Sequence, residues 1–206
     1  MARIGTDILH AADLLRAGKL VGIPTDTVYG LAGHAQKTET LKEIFRVKKR
    51  PQDKPLIAQV DHLEKATGFV KNISNHARIL AEKYWPGALT LIFEATQEVS
   101  PVMVSNGKTM GLRVPDHKLA LDLLGQIEFP LAVTSANLNG QASPTTAQEV
   151  DEQIGDQIEY ILDGGPSLHG LESTIVAFEN KIPVILRPGA ISEEEILATL
   201  NLKLSH

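Results

Sequence analysis

Hydrophobic positions along the chain switch repeatedly between the spacing of a helix face and the short runs of a strand. Residues 7–17 predict a helix, with Ile8, Ala11, Ala12 and Leu15 on one face and Gly18 as its stop. Leu20 to Pro24 is a short apolar strand running into Thr25-Asp26-Thr27-Val28-Tyr29-Gly30-Leu31-Ala32-Gly33. Those small hydroxyl residues either line a crevice at the sheet's end or form a turn held by Asp and Thr side chains. Leu41, Ile44 and Phe45 mark the next helix, and Leu56 to Val60 a strand. Residues 61–69 predict a short helix opened by Asp61, and Ser74 caps a helix with Ala77, Leu80, Ala81 and Tyr84 on one face, ended by Pro86-Gly87. Leu89 to Ala95 and Thr109 to Val114 are strands. Asp116 caps a helix carrying Leu119, Leu123 and Leu124, followed by a buried strand at 130–137. Thr146-Ala-Gln-Glu149 and Ser192-Glu-Glu-Glu195 have the form of capping boxes. Tyr160 to Asp163 is a strand, and Ser173 to Phe178 and Ile182 to Leu186 flank a turn at Asn180-Lys181. Helices alternate with strands and a hairpin comes late, which predicts one α/β domain with a twisted, mixed sheet. No linker, low-complexity tract or internal repeat interrupts the pattern.

Composition narrows the class. The 206 residues are 43% hydrophobic and 22% charged, as in an ordinary water-soluble domain. No run has the apolar length of a membrane span, and the first residues lack the apolar core of a signal peptide. There is no cysteine, which excludes disulfides, thiolate zinc sites and cysteine nucleophiles. These features fit a cytoplasmic location. With 20 basic and 25 acidic residues the net charge is −5, which argues against a surface given over to nucleic acid.

That acidic background makes one basic stretch informative. Arg46, Lys48, Lys49, Arg50 and Lys54 lie within nine positions, braced by Pro51 and Pro55. At about 100° per residue, Lys48 falls on the apolar face beside Leu41, and a charge there needs a partner. A polyphosphate is one candidate; a helix end with cations at the negative pole of its dipole is the other. The usual phosphate loops, dinucleotide fingerprints, helical zinc pairs and nucleophile elbows are absent from the sequence. A nucleotide would therefore be held by side-chain cations and loop amides, with Lys48, Arg50, Lys54, Arg113 and Arg187 as candidates. Arg113 and Arg187 follow strand runs and shortly precede prolines, so each forms either a forked clamp for an anion or a structural ion pair. Ser135 and Asn137 point to one side of a strand end, to bind a ligand or to close a turn. Ser143-Pro-Thr-Thr146 suits a capping loop, and Glu172-Ser173-Thr174 suits either role.

Taken in order, these pieces resemble the YrdC-like family of L-threonylcarbamoyladenylate synthases, the bacterial TsaC type. The resemblance rests on Pro24-Thr-Asp-Thr-Val-Tyr-Gly-Leu31, Lys48-Lys-Arg-Pro51 with Lys54-Pro-Leu56, Tyr84-Trp-Pro-Gly-Ala-Leu-Thr-Leu91 and Gly111-Leu-Arg-Val-Pro115. It continues through Thr134-Ser-Ala-Asn137, Ser143-Pro-Thr-Thr146, Asp163-Gly-Gly165, Glu172-Ser-Thr174 and Leu186-Arg-Pro-Gly189, spanning nearly the whole chain. It implies a single YrdC/RibB-like domain over residues 1–206, an open α/β sheet with a large concave basic cavity. The implied reaction joins L-threonine, bicarbonate or CO2 and ATP into threonylcarbamoyl-AMP, releasing pyrophosphate, with magnesium on the phosphates and no dedicated protein metal site. The product serves N6-threonylcarbamoyladenosine formation at position 37 of tRNAs, through TsaB-, TsaD- and TsaE-type partners and with a tRNA contact. By the same match, Lys48, Arg50, Ser135 and Asn137 form the catalytic signature. Thr27, Gln59, Arg113, the backbone of Val133 and Ser173 hold threonine. Arg50, Lys54, Thr109, Ser135, Ser143 and Arg187 hold ATP. Gln59 stands where part of the family has histidine. Two other expectations compete: a non-catalytic RNA-binding module of the same fold, and a related carbamoyl-adenylate chemistry on another substrate.

Overall fold

The computed structural model describes residues 1–202; residues 203–206, the last of the span assigned above to one domain, lie outside the described residues. Side-chain caps set several helix starts. The Asp7, Ser74, Thr146 and Ser192 side chains accept from the main-chain N–H three residues on, at 3.0–3.3 Å. They open α1 (Ile8–Arg16), α3 (Asn75–Tyr84), α5 (Ala147–Ile154) and α6 (Glu193–Thr199). Between them run α2 (Thr38–Lys48) and α4 (Lys118–Gly125). The strands are β1 (Arg3–Gly5), β2 (Val21–Ile23), β3 (Gly30–His34), β4 (Ile57–Gln59), β5 (Val70–Lys71), β6 (Leu89–Ala95), β7 (Thr109–Arg113), β8 (Leu131–Ser135), β9 (Tyr160–Leu162), β10 (Thr174–Glu179) and β11 (Ile182–Arg187). The mixed α/β architecture matches the pattern in the sequence.

Four local expectations are corrected. Asp116 is not the cap of α4: His117 stands there, and the Asp116 N–H donates to Asp26 at 3.0 Å. The 61–69 helix is only a 3-10 turn at Leu63–Ala66. The box at Thr146 is half formed, because Glu149 turns to the N–H and hydroxyl of Thr145 instead. Residues Gly30–His34, read as part of a crevice or turn, are a central strand between β2 and β8; its two glycines hide it, having no side chain to signal a strand. The box at Ser192 is complete.

The sheet runs β1-β9-β2-β3-β8-β4-β7-β6-β10-β11, with β5 on β6. It is mixed: β1 and β2 on β9, β4 on β7, and β10 on β6 are parallel. Alternation gives each face its own core. Leu31, Ala58, Leu91, Leu112, Ala132, Ile161 and Val176 pack with residues of α2, α3, α5 and α6. Val21, Ile23, Ala32, Leu131, Val133, Tyr160 and Leu162 pack with Ala11, Ala12 and Leu15 of α1 and Leu123 and Leu124 of α4. Each fully buried leucine here is worth roughly 1.5–3 kcal/mol relative to exposure.

The second cover reaches only half of its face. Val133 on β8 lies opposite Ile57, Ile57 opposite Gly111, and Gly111 opposite Ile92. One step along, Gln59 lies opposite Arg113. These positions share the face of α1 and α4, yet Ile57, Gln59, Gly111, Arg113 and Ile92 are outside that core and line a cavity instead. The half-covered sheet is what makes the site. No helix among the described residues is long and apolar enough to cross a membrane.

Candidate functional site

The cavity has a volume of about 590 Å³, within the range of pockets that hold a small molecule. Its floor is low where side chains are missing. A Cβ on Gly30 would lie 2.6 Å from Val133 Cγ1, and one on Gly111 would lie 3.1 Å from Thr90 Cγ2 and 3.3 Å from Ile57 Cγ1. Above that floor the wall carries Lys48, Arg50, Lys54, Arg113 and Arg187 against Asp53 and Glu172. A cationic concavity therefore sits on a net acidic chain.

Arg113 ends β7 and is 4% exposed. Its Nε donates to the Gly87 carbonyl at 2.9 Å, Nη1 to Thr27 Oγ1 at 2.7 Å, and Nη2 to Asp26 Oδ1 at 2.5 Å. Burial pulls its pKa down and Asp26 opposes that pull. Of the two alternatives in the sequence, the structural ion pair is formed. Three of five guanidinium N–H groups are used, leaving one on each Nη, the fork that a carboxylate takes. Gln59 is 4% exposed, and its Oε1 has no partner among the described residues. Ser173 is also buried; its Oγ pairs with Thr90 Oγ1 at 2.8 Å and accepts from Arg187 at 3.1 Å. Thr27, Gln59, Arg113, Val133 and Ser173 all line the cavity.

Lys48, at the end of α2, is 2% exposed. Its Nζ donates to the main-chain carbonyls of Ser135 and Asn137 and, at 3.1 Å, to Asn137 Oδ1. Its own carbonyl accepts from Asn139 N–H at 2.9 Å. The charge on the apolar face thus finds partners within the protein, other than the carbonyls of its own helix. Three acceptors match the three N–H groups of an ammonium. Burial first, then Arg50, lower its pKa to about 7, with Glu172 pulling the other way. Ser135 Oγ donates to Asn137 Oδ1 at 2.5 Å, and Asn137 Nδ2 donates to the Leu138 and Gln141 carbonyls. The tetrad Lys48, Arg50, Ser135 and Asn137 converges on the cavity, with Lys48 fastening the Ser135–Asn137 turn.

Arg50 follows Lys49, whose φ of 51° ends the helix in a left-handed turn. It staples its own loop: Nε to the Lys54 carbonyl (3.1 Å), Nη2 to the Pro55 carbonyl (2.8 Å) and Nη1 to Thr134 Oγ1 (3.3 Å). Burial lowers its pKa, opposed mainly by Glu172. Arg187 gives Nε and Nη2 to the Ser173 carbonyl and Nη1 to Glu172 Oε2. Ser143 and Thr109 are not on the lining. Ser143 stands behind it, with its Oγ donating to Glu172 Oε1 at 3.2 Å. Thr109 is exposed at the far end of β7, on the face of Gly111 and Arg113 but two and four residues away from them.

Sequence reasoning passed over Asp26, the buried counter-ion of Arg113, and Tyr29, whose hydroxyl donates to the Gly165 carbonyl at 2.8 Å. Burial pushes the Tyr29 phenol up to about 12. Asp26 lies between two threonines singled out for the crevice, and an ion pair was one of the two alternatives at Arg113, so the pair was one step from legible. Among the described residues no group of three or more His, Cys, Asp or Glu could hold a metal.

Comparison with known proteins places this geometry. Residues 13–189 match the model of the Sua5/YciO/YrdC family, described as "Telomere recombination". The chain is 41% identical to the threonylcarbamoyl-AMP synthase of Bacillus subtilis over 194 residues, 94% of this chain and 56% of that protein. It is 42% identical to the Pyrococcus abyssi protein of the same name over 186 residues, 90% of this chain and 55% of that one. The solved structure of P. abyssi Sua5 complexed with L-threonine superposes with a TM-score of 0.93 at 38% identity, covering 97% of this chain and 61% of the other. The chain spans about half the length of these curated relatives. With its half-covered sheet, its cationic cavity and these matches, the chain belongs to the Sua5/YciO/YrdC family.

Proposed function

We propose that the protein is an L-threonylcarbamoyl-AMP synthase, an ATP-dependent nucleotidyltransferase that joins L-threonine, bicarbonate or CO2 and ATP. The observation that carries this reading is the meeting, in one cavity, of a buried arginine with two free donors beside Gln59, Thr27 and Ser173, and of Lys48, Arg50, Lys54 and Arg187. The first group suits an amino acid, and the second suits a polyphosphate. The P. abyssi Sua5 structure, a complex with L-threonine, supports the first assignment.

In this reading the threonine carboxylate takes the two free N–H groups of Arg113, with the orphan Oε1 of Gln59 and the hydroxyls of Thr27 and Ser173 turned to its polar groups. Arg113 is held still by Asp26 and the Gly87 carbonyl, so orientation is set before the ligand arrives. The threonine amine adds to CO2 and loses a proton, giving a carbamate. A carbamate oxygen then attacks the α-phosphate as pyrophosphate leaves. The chain supplies cations against the repulsion of these anions; Arg50 has two N–H groups left and Arg187 one. Lys48 fixes the turn that presents Ser135 and Asn137. No covalent nucleophile is needed. Asp53 and Glu172 are the carboxylates on the wall, and magnesium borne on ATP fits such a sparse set, since it binds mainly through phosphates, waters and one or two carboxylates. That ion would supply further neutralisation at the phosphates.

We assign residues 1–206 to one YrdC-like domain. The proposed product feeds threonylcarbamoyl transfer to tRNA in the cytoplasm through TsaB-, TsaD- and TsaE-type proteins. The test is incubation with ATP, bicarbonate and L-threonine, following pyrophosphate and the adenylate by mass. Pyrophosphate release that needs both bicarbonate and threonine is expected. Release without threonine would redirect the reading to a related carbamoyl-adenylate chemistry. No adenylate, together with a steeply salt-dependent RNA affinity, would replace it with an RNA-binding module.

A further inference from the structure

One carboxylate gathers the groups assigned to the nucleotide. Glu172 Oε2 pairs with Arg187 Nη1, and its Oε1 accepts from Ser143 Oγ at 3.2 Å. Its main chain is pinned: the carbonyl accepts from Ala190 N–H at 3.3 Å, and a Cβ on Gly189 would lie 2.4 Å from that oxygen. The side chain is 37% exposed, so solvent and a ligand can reach it. It lines the cavity with five cationic residues, where, among the described residues, the only other acidic one is Asp53. Its charge is felt at both Lys48 and Arg50.

We propose that Glu172 is the counter-anion that sets how tightly the cavity grips phosphates: its carboxylate competes with a phosphate for Arg187 and Ser143, and so weakens the hold on free pyrophosphate. The chemistry asks for such a device. In the synthase reading pyrophosphate is a product, and Lys48, Arg50, Lys54 and Arg187 with little internal anion would retain it. Grip that is equal for substrate, transition state and product does not speed the chemical step, whereas slow product release limits turnover. A tethered carboxylate offers the same arginine an alternative partner and shortens the stay of the product. The proposal rests on the synthase reading for its purpose but not for its physics.

The test compares wild type with Glu172→Gln, which keeps the shape and removes the charge. Binding of pyrophosphate is measured by calorimetry in buffer without divalent cations, and inhibition by pyrophosphate is measured in the adenylate assay. Glu172→Gln should bind pyrophosphate about five- to tenfold more tightly, on the scale of one charge contact in a partly solvated site, and be inhibited at correspondingly lower concentration. Should that variant not fold, Glu172→Asp makes the same comparison, because it withdraws the charge from Arg187 by one methylene. Equal or weaker pyrophosphate binding in the folded variant overturns the proposal and makes Glu172 a structural brace for Arg187. Tighter pyrophosphate binding in a protein that makes no adenylate overturns the synthase reading and leaves the counter-anion standing. A wild type that binds neither ATP nor pyrophosphate overturns both.

Discussion

Lys48 and Asn137 are joined twice, the ammonium donating both to the main-chain carbonyl and to the side-chain Oδ1 of the asparagine. The third donor goes to the carbonyl of Ser135. Lys48→Met keeps the length of the side chain and takes its donor from the Ser135 and Asn137 carbonyls, while Asn137 Oδ1 keeps the Ser135 hydroxyl. An unsatisfied buried polar group costs roughly 1–3 kcal/mol, so the variant should lose at least about 2 kcal/mol of stability and, with the Ser135–Asn137 turn released, its adenylate activity. Urea unfolding alongside the adenylate assay checks this. Full stability would mean that the three contacts are not what holds the turn.

The same lysine gives a pH signature. Its pKa is lowered to about 7 from 10.5. Between those values the unfolded chain binds the proton and the folded one does not, so the contribution of Lys48 to stability is least favourable below pH 7 and improves as pH rises through the window. An anion entering beside Lys48 favours the charged form. Near about pH 8.5, where ATP phosphates are fully ionised, nucleotide binding should take up a fraction of a proton. Calorimetry in two buffers of different ionisation enthalpy measures it; zero uptake would place Lys48 out of electrical contact with the phosphates.

Arg113 and Asp26 form a buried pair, 5% and 2% exposed at their side chains. Removing one charge from such a pair typically costs 3–5 kcal/mol, so Arg113→Met should be destabilised by roughly that amount. The double variant with Asp26→Asn should recover part of the loss. Arg113→Lys should fold better than Arg113→Met yet bind threonine at least about tenfold more weakly, because one ammonium cannot form a fork. Unchanged threonine affinity in Arg113→Lys would count against the clamp.

Gln59→Leu separates ligand binding from stability. Its Oε1 is buried without a partner among the described residues, so the leucine variant should be at least as stable as wild type. Threonine should nevertheless bind about 1–2 kcal/mol more weakly, the scale of a lost partner at a buried polar group. Equal threonine affinity would remove Gln59 from the site. Gln59→His should stay active and bring a pH dependence of threonine affinity around pH 6–7.

The hairpin between β10 and β11 turns on Asn180 and Lys181, at φ 49° and 69°. Two consecutive left-handed residues in a two-residue loop favour Asn-Gly. Lys181→Gly should raise the unfolding free energy by roughly 0.5–1 kcal/mol, since a non-glycine residue is strained there. A thermal melt is sufficient; a lower melting temperature would mean that contacts of the lysine outweigh its backbone strain.

Much of this was legible in the chain itself. Helical spacing placed α1 and α3, and short apolar runs placed β6 and the β10–β11 hairpin, within a residue or two; Ser74 and Ser192 announce their helices. Gly30–His34 was not legible: it is buried on both faces, and two of its five residues have no side chain. The lining positions Lys48, Arg50, Arg113 and Arg187 could be named, but their state could not. Whether an arginine meets an acid or stays free depends on Asp26 and Glu172, which lie 87 and 15 residues away along the chain. Thr109 was named through the family resemblance alone, and it lies off the cavity lining at the far end of β7.

On β4 and β7 the odd and even positions belong to different jobs. Ala58 and Leu112 sit in the core, while Ile57, Gln59, Gly111 and Arg113 look into the cavity. Apart from Arg113, whose pair with Asp26 ties it to the interior, a substitution scan along these two strands should therefore blink, with melting temperature responding at one residue and ligand binding at the next. At Ile57 and Gln59 such a surface can be rewritten for a different ligand over an interior that does not register the change.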